Sequence, residues 1–454
     1  MKWLAALVLL VVMAAGAIFV ISRREFPPTV TIEQPVRVVG QAGTLAIAVG
    51  SRTSKLKDLS IAVEQNGQVI PIAADPSAKL VQAEPNLLRT SLPFGKQAVP
   101  QLKAGPARIV VSATNKSFLS LRTLTTTATK DIEVRLEPPR ISVVSTHHYV
   151  NHGGTEFVVY RATPSDVASG VRVGDVEYPG FPVGSDPAVK GAFFALLYDQ
   201  ELRTKIAAFA RDEAGNEATA SFIDNVFEKP QKKSRIELDD KFMGRVVPEI
   251  LEHSPELKLA PPAAGADMLP AFLEINGELR RRNADQIAAF AKKTSPTRLW
   301  EGPFVQLGNS KVEAAFADHR TYVYKGKEVD HQVHLGFDLA VTSRVPVVAA
   351  NAGTVLNASW LGIYGNCVII DHGMGVQSLY GHLSSFDVKV GDRVTRGQTI
   401  GRSGMTGLAG GDHLHFTMLV NGRMVNPVEW WDPHWIQDRV MRKLGEAGSS
   451  TATR

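Results

Sequence analysis

Three short spacings in the last third of the chain put imidazoles where they can do chemistry. The first is His334-Leu335-Gly336-Phe337-Asp338. An imidazole and a carboxylate separated by three residues, one of them a glycine, can turn onto one metal ion. His nitrogen and Asp oxygen both suit Zn2+ at roughly 2.0–2.2 Å. The second is His413-Leu414-His415-Phe416. On a strand, residues two apart share a face, so both imidazoles enter one groove while Leu414 and Phe416 face a core. The third is Tyr380-Gly381-His382-Leu383, where the glycine permits a tight turn or a close approach. Eight of the 12 histidines lie between His319 and His434, which concentrates this chemistry in one region.

Together the spacings describe a catalytic rather than a structural metal site. Three protein ligands leave a fourth position open for water, and two further histidines can move protons and stabilise an oxyanion. A closed structural site normally has four ligands, often cysteines, and Cys367 is the one thiol in the chain. Cys367 sits in an apolar run and reads as a buried small hydrophobe. His372, His319, His331 and His434 read as turn residues, and His147, His148 and His152 as surface histidines. Tyr322 and Tyr324 are candidate hydrogen-bond donors to the site.

The order H-x-G-x-D, then Y-G-H-L, then H-L-H-F resembles the lysostaphin-type M23 peptidases, also called the LytM family. The glycine-rich stretch Gly401-Arg402-Ser403-Gly404-Met405-Thr406-Gly407, the approach Gly410-Gly411-Asp412 and the closing Asn426-Pro427 are similar to that family as well. The resemblance covers residues 299–436. It implies an antiparallel β peptidase domain with zinc held by His334, Asp338 and His415. It further implies His413 as general base and His382 as the group that stabilises the tetrahedral intermediate or relays a proton. The implied activity is hydrolysis of peptide cross-links in bacterial peptidoglycan, at D-Ala–diaminopimelate links or at glycine bridges. Some relatives have lost ligands and only activate other wall hydrolases, and the five intact positions here argue for cutting. The alternative is a non-catalytic scaffold or activator. The segment from Val388 to Gly401 is similar to half of a biotinyl/lipoyl carrier domain, but no M-K-M-like or D-K-A-like tip with a modifiable lysine is present.

Around this region the 454 residues suggest a mainly β chain of several domains. Residues 3–21 carry no charge and are expected to form an uncleaved membrane helix within an anchor at 1–25. Residues 26–137 and 138–228 show short β-branched runs between Gly, Pro, Asn and Asp, and are expected to form two β-sandwiches. The stretch from Ala210 to Ala218 resembles a turn of immunoglobulin-like bacterial surface domains. Such sandwiches would act as spacers or adaptors for protein partners. Residues 229–298 switch to helical spacing and are expected to form a helical connector, interrupted near Pro248 and at Pro261-Pro262. Residues 437–454 are expected to form a flexible tail. The charge of +5, without a long Lys/Arg run, suits an anionic partner such as cell wall or lipid headgroups and excludes a nucleic-acid binder. With the family, the anchor implies the inner membrane, a single pass, and the bulk of the chain in the periplasm.

Overall fold

Strands dominate because β-branched runs alternate with polar residues between glycine and proline breaks. The computed structural model describes residues 2–23, 26–51, 56–72, 80–84, 86–117, 122–263 and 265–451. They form two compact units, Met1–Pro139 with Arg211–Glu217, and Arg140–Ala210 with Ala218–Arg454.

In the first unit, a four-stranded and a five-stranded sheet share one core. Ile47 and Val49 of strand Gly43–Gly50 meet Leu59 and Ile61 of strand Leu56–Gln65 and Ile109 and Val111 of strand Gly105–Lys116. The burial repeats at every second residue, as a strand with one core face requires. The immunoglobulin-like connectivity expected for the β modules is not established by these sheets.

Helix Lys2–Arg23 exposes Leu7, Val8, Leu9, Leu10 and Val11. Among the described residues no helix is long and apolar enough to cross a membrane, so the expected span is not established.

The second unit departs from the expectation of a free-standing spacer. Strands Thr155–Thr163 and Val189–Ala195 send Phe157 and Phe193 into the same apolar core as Trp300, Phe304 and Trp430 near the peptidase motifs. The Phe193 ring lies 5.5 Å from that of Trp430 and 6.3 Å from that of Trp300. The presumed tail also takes part, in helix Arg442–Thr451. Lys443, fully buried, donates to Glu156 Oε1 and to Phe157 O, both at 2.8 Å. The correction has a physical reason: an aliphatic stem and a neutralised ammonium can be buried together where an unpaired charge cannot. Ala452, Thr453 and Arg454, also assigned to that tail, lie outside the described residues.

Glu429 joins the same region, accepting from Thr155 N at 2.6 Å and from Asn151 Nδ2 at 2.7 Å. Burial pushes its carboxyl up from 4.5 to about 7, against the pull of those two donors. A raised folded-state value favours the protonated form. The stabilisation is therefore complete below 4.5 and lost as pH rises through about 7, by roughly 3 kcal/mol. Urea midpoints of the wild type should fall between pH 4.5 and 7.5 more steeply than those of Glu429→Gln. Parallel pH profiles would contradict this assignment.

The connector begins as a strand, not a helix. Lys233–Leu238 pairs in parallel with Asp318–Tyr324, which pairs antiparallel with Lys327–His334. Helix Asp240–Glu252 follows, capped where Asp239 accepts from Phe242 N at 2.7 Å, and it runs through Pro248. An interior proline costs about 3 kcal/mol. Met243, Val246, Val247, Ile250 and Leu251 are buried on one face. At about 1.5–3 kcal/mol each, their burial outweighs that cost.

An antiparallel eight-stranded sheet carries the motifs, and its central strands are buried on both faces. Val368, Ile370, Leu414 and Phe416 face the large core shared with the β module. Cys367, Ile369 and Leu419 face the core covered by the connector helices. Cys367 is a free, fully buried thiol. By strand alternation, His413 and His415 lie on the Leu419 side, so the site opens toward the connector.

Candidate active site

Strand register builds the centre. In the pairing of Phe337–Ala340 with His413–Val420, Asp338 stands directly opposite His415 and Ala340 opposite His413. His334 ends the preceding strand, and the short turn through Leu335 and Gly336 returns the chain to Asp338. Gly336 is required by close approach. A Cβ there would lie 2.6 Å from both Cε1 and Nε2 of the His415 ring.

The result is a tight three-atom cluster. His334 Nε2 lies 2.9 Å from Asp338 Oδ1 and 3.1 Å from His415 Nδ1, and Asp338 Oδ1 lies 3.1 Å from His415 Nδ1. Among the described residues, these three make up the one group of ligand atoms close enough to hold a metal ion. The surroundings fit a metal as well. His334 Nδ1 donates to Ala315 O at 3.2 Å, which leaves Nε2 with its lone pair toward the cluster. Two imidazoles and one carboxylate suit a divalent ion. Asp338 Oδ2 accepts from Arg320 Nη2 at 3.1 Å, so one carboxylate oxygen is oriented from outside while the other faces the cluster.

His413 and His382 stand beside the cluster. His413 Nε2 is 3.4 Å from Asp338 Oδ1, and its Nδ1 donates to Gly411 O at 2.9 Å. His382 Nδ1 donates to Thr406 O at 2.8 Å, and its ring centroid is 4.8 Å from that of His413. The positive φ in this motif falls on His382, at 63°, rather than on the glycine before it. A bulge sets Gly381 and His382 against the single residue Cys367, which breaks the alternation and swings the imidazole toward Thr406.

The electrostatics follow from burial and from Asp338. Burial alone would raise the Asp338 carboxyl. The His334 imidazole, with His413 and His415, outweighs it and holds the group well below the usual carboxylate range. Burial, then the neighbouring imidazoles His413 and His415, holds His382 well below its ordinary value, and burial takes His415 down to about 4. Burial works against His413 too, but the bond to Asp338 and its charge raise it. A bound cation would oppose protonation at all of these rings.

The other histidines divide differently from the expectation. His319 and His331 lie in strands and His434 in the short helix Pro433–Trp435. His372, expected in a turn, is a fully buried strand residue bonded to Ala352 O at 2.8 Å and to Ser378 Oγ at 2.7 Å. His148, expected at the surface, is buried, and burial takes it down to about 3. In each case a carbonyl or hydroxyl partner makes the interior tolerable. Tyr324 bonds Asp240 at 2.5 Å, while Tyr322 lines the cavity in front of the site. Arg320 and Tyr364, whose ring centroid is 5.3 Å from that of His415, were not singled out from the sequence. Both arrive by strand pairing and packing, which local spacing does not encode.

Comparison with known proteins agrees with this geometry. Peptidase family M23 matches residues 332–427. An uncharacterised metalloprotease of Haemophilus influenzae is 37% identical over 120 residues, 26% of this chain and 25% of that protein. The DD-carboxypeptidase/endopeptidase Mpg of Neisseria meningitidis serogroup B is 42% identical over 97 residues, 21% of this chain and 22% of that protein. The peptidoglycan DD-endopeptidase ShyA of Vibrio cholerae serotype O1 is 30% identical over 161 residues, 36% of this chain and 34% of that protein. The match thus spans between about a fifth and a third of these relatives. The part of this chain that matches peptidase family M23, residues 332–427, contains the three clustered ligands and both flanking histidines.

Proposed function

We propose that this chain is a zinc endopeptidase that hydrolyses the peptide cross-links of bacterial peptidoglycan. One observation carries the proposal. His334, Asp338 and His415 converge on one point, while His413 and His382 stand beside it with Nδ1 already committed to carbonyls. Zinc held by those three residues would supply a Lewis acid that brings the pKa of water toward roughly 7. His413, fixed by Gly411 O, takes the proton of the attacking water at Nε2. His382, fixed by Thr406 O and with its ring 4.8 Å from that of His413, would take up at Nε2 the proton that His413 removed from water, and then donate it to the developing oxyanion or to the leaving amine.

A purely structural metal needs neither flanking histidine, which favours catalysis over a scaffold role. The name of the Vibrio relative, a peptidoglycan DD-endopeptidase, supports peptidoglycan as substrate. Placement at the inner membrane with the bulk of the chain in the periplasm is part of the proposal. It is supported by the exposed apolar side chains of helix Lys2–Arg23 and tested by alkaline extraction of membranes. The sheets of the first unit would serve as an adaptor for protein partners.

Incubated with purified peptidoglycan, the zinc-loaded full chain should release products that have lost their cross-links. A chelator should stop the release and added zinc restore it. A folded, zinc-loaded chain that releases nothing would leave the scaffold reading in its place.

A further inference from the structure

The cavity in front of the metal cluster, about 450 Å³, has one wall made by the connector. Phe272, Arg280 and Ala284 line it opposite His334, His413 and His415. Its charged groups are mostly committed to partners. Arg320 pairs with Asp318 and Asp338, Glu237 pairs with Arg235, and Asp239 caps its own helix. Arg280 differs. Among the described residues it has no carboxylate partner, although it is half-buried beside the site.

Its guanidinium is nevertheless held in place. The chain makes one wide turn at Ile275–Leu279, where Arg280 N bonds back to Ile275 O. Arg280 Nε then donates to Asn276 O at 3.1 Å and Nη2 to Asn276 Oδ1 at 2.6 Å. Asn276 is fully buried and is itself fixed by donating to Asp330 Oδ2 at 2.7 Å. The chain Asp330–Asn276–Arg280 therefore orients the guanidinium through two of its nitrogens and leaves Nη1 uncommitted. Wide turns of this kind recur at functional sites. The charge acts on Tyr364, whose ring packs on His415, so Arg280 belongs electrostatically to the site.

We infer that Arg280 is a specificity-determining residue that binds a carboxylate of the substrate peptide close to the bond being cut. A pre-oriented guanidinium with a free N–H suits a carboxylate. The preferred substrate is then a direct cross-link whose stem peptides carry a free carboxylate, rather than a neutral glycine bridge. This rests on the reading of the site as a wall endopeptidase.

The test uses the full zinc-loaded chain and cross-linked muropeptide dimers, with carboxylates left free or converted to amides. Binding is measured on His413→Ala, which holds substrate without cutting it, and cleavage on the otherwise unaltered chain. Free dimers should bind about tenfold to a hundredfold more tightly than amidated ones. Adding Arg280→Gln should remove the difference, and Arg280→Lys should restore part of it. In cleavage, Arg280→Gln should raise KM for the free dimer by a similar factor with kcat little changed. Equal binding of acid and amide, or a preference that survives Arg280→Gln, would overturn the inference. Carboxylate-dependent binding without cleavage by the unaltered chain would sustain the inference and sink the endopeptidase reading.

Discussion

Replacing Asp338 with Ala should abolish both metal retention and cleavage. Asp338 Oδ1 approaches His334, His415 and His413 together, at 2.9, 3.1 and 3.4 Å. Without it two neutral imidazoles remain, and they supply neither a third ligand nor negative charge. The loss should exceed the 10–100-fold that typically follows removal of an outer-shell partner. The change also leaves Arg320, a mostly buried cation, with Asp318 alone. Some destabilisation should therefore accompany the loss of metal. Metal content by mass spectrometry, measured beside cleavage of cross-linked dimers and thermal unfolding, checks the result. A folded Asp338→Ala protein that keeps stoichiometric metal and activity would remove this residue from the ligand set.

His413→Ala should give the opposite pattern, with metal retained and turnover lost. His413 lies outside the three-atom cluster, so its removal leaves all the proposed ligands in place. General base catalysis contributes about 10²–10⁴-fold, and kcat should fall by that factor with little change in KM. The two variants separate the roles, because one loses metal and rate together and the other loses rate alone. Equal metal loss in both would make His413 a ligand and oblige another group to take the proton from water.

Four of the five candidate positions were legible in the sequence as short-range pairs, whereas His382 owes its place to a bulge and to Thr406. His334 and Asp338 are joined by one tight turn, and His413 and His415 share a face through the two-residue period of a strand. Gly336 was legible as the residue that lets the chain turn between His334 and Asp338, but its close approach to the His415 ring, 79 positions away, was not. The fate of single histidines was not legible. His372 and His148 became interior residues because their rings met the nearby hydroxyls of Ser378 and Ser145, with Ala352 O bonding the first ring and Asp224 accepting from His148 N. Likewise the helical period around Pro248 raised doubt about an unbroken helix, and burial of five side chains overrode the local rule.

By itself, then, the sequence determined a mainly β chain with a metal-type His/Asp pattern near its C-terminal end, because residue type, period and order are local properties. Tertiary structure alone decided what surrounds that pattern. Arg320 reaches Asp338 because the strand Asp318–Tyr324 pairs with the strand that ends in His334. Arg280 reaches the cavity because the connector packs over Ile369 and Leu419 on the face that carries His413 and His415. Lys443 could leave water only where Glu156 was already buried to receive it. Each of these depends on contacts between residues far apart in the chain, made worthwhile by apolar burial and by the need to pair every buried charge.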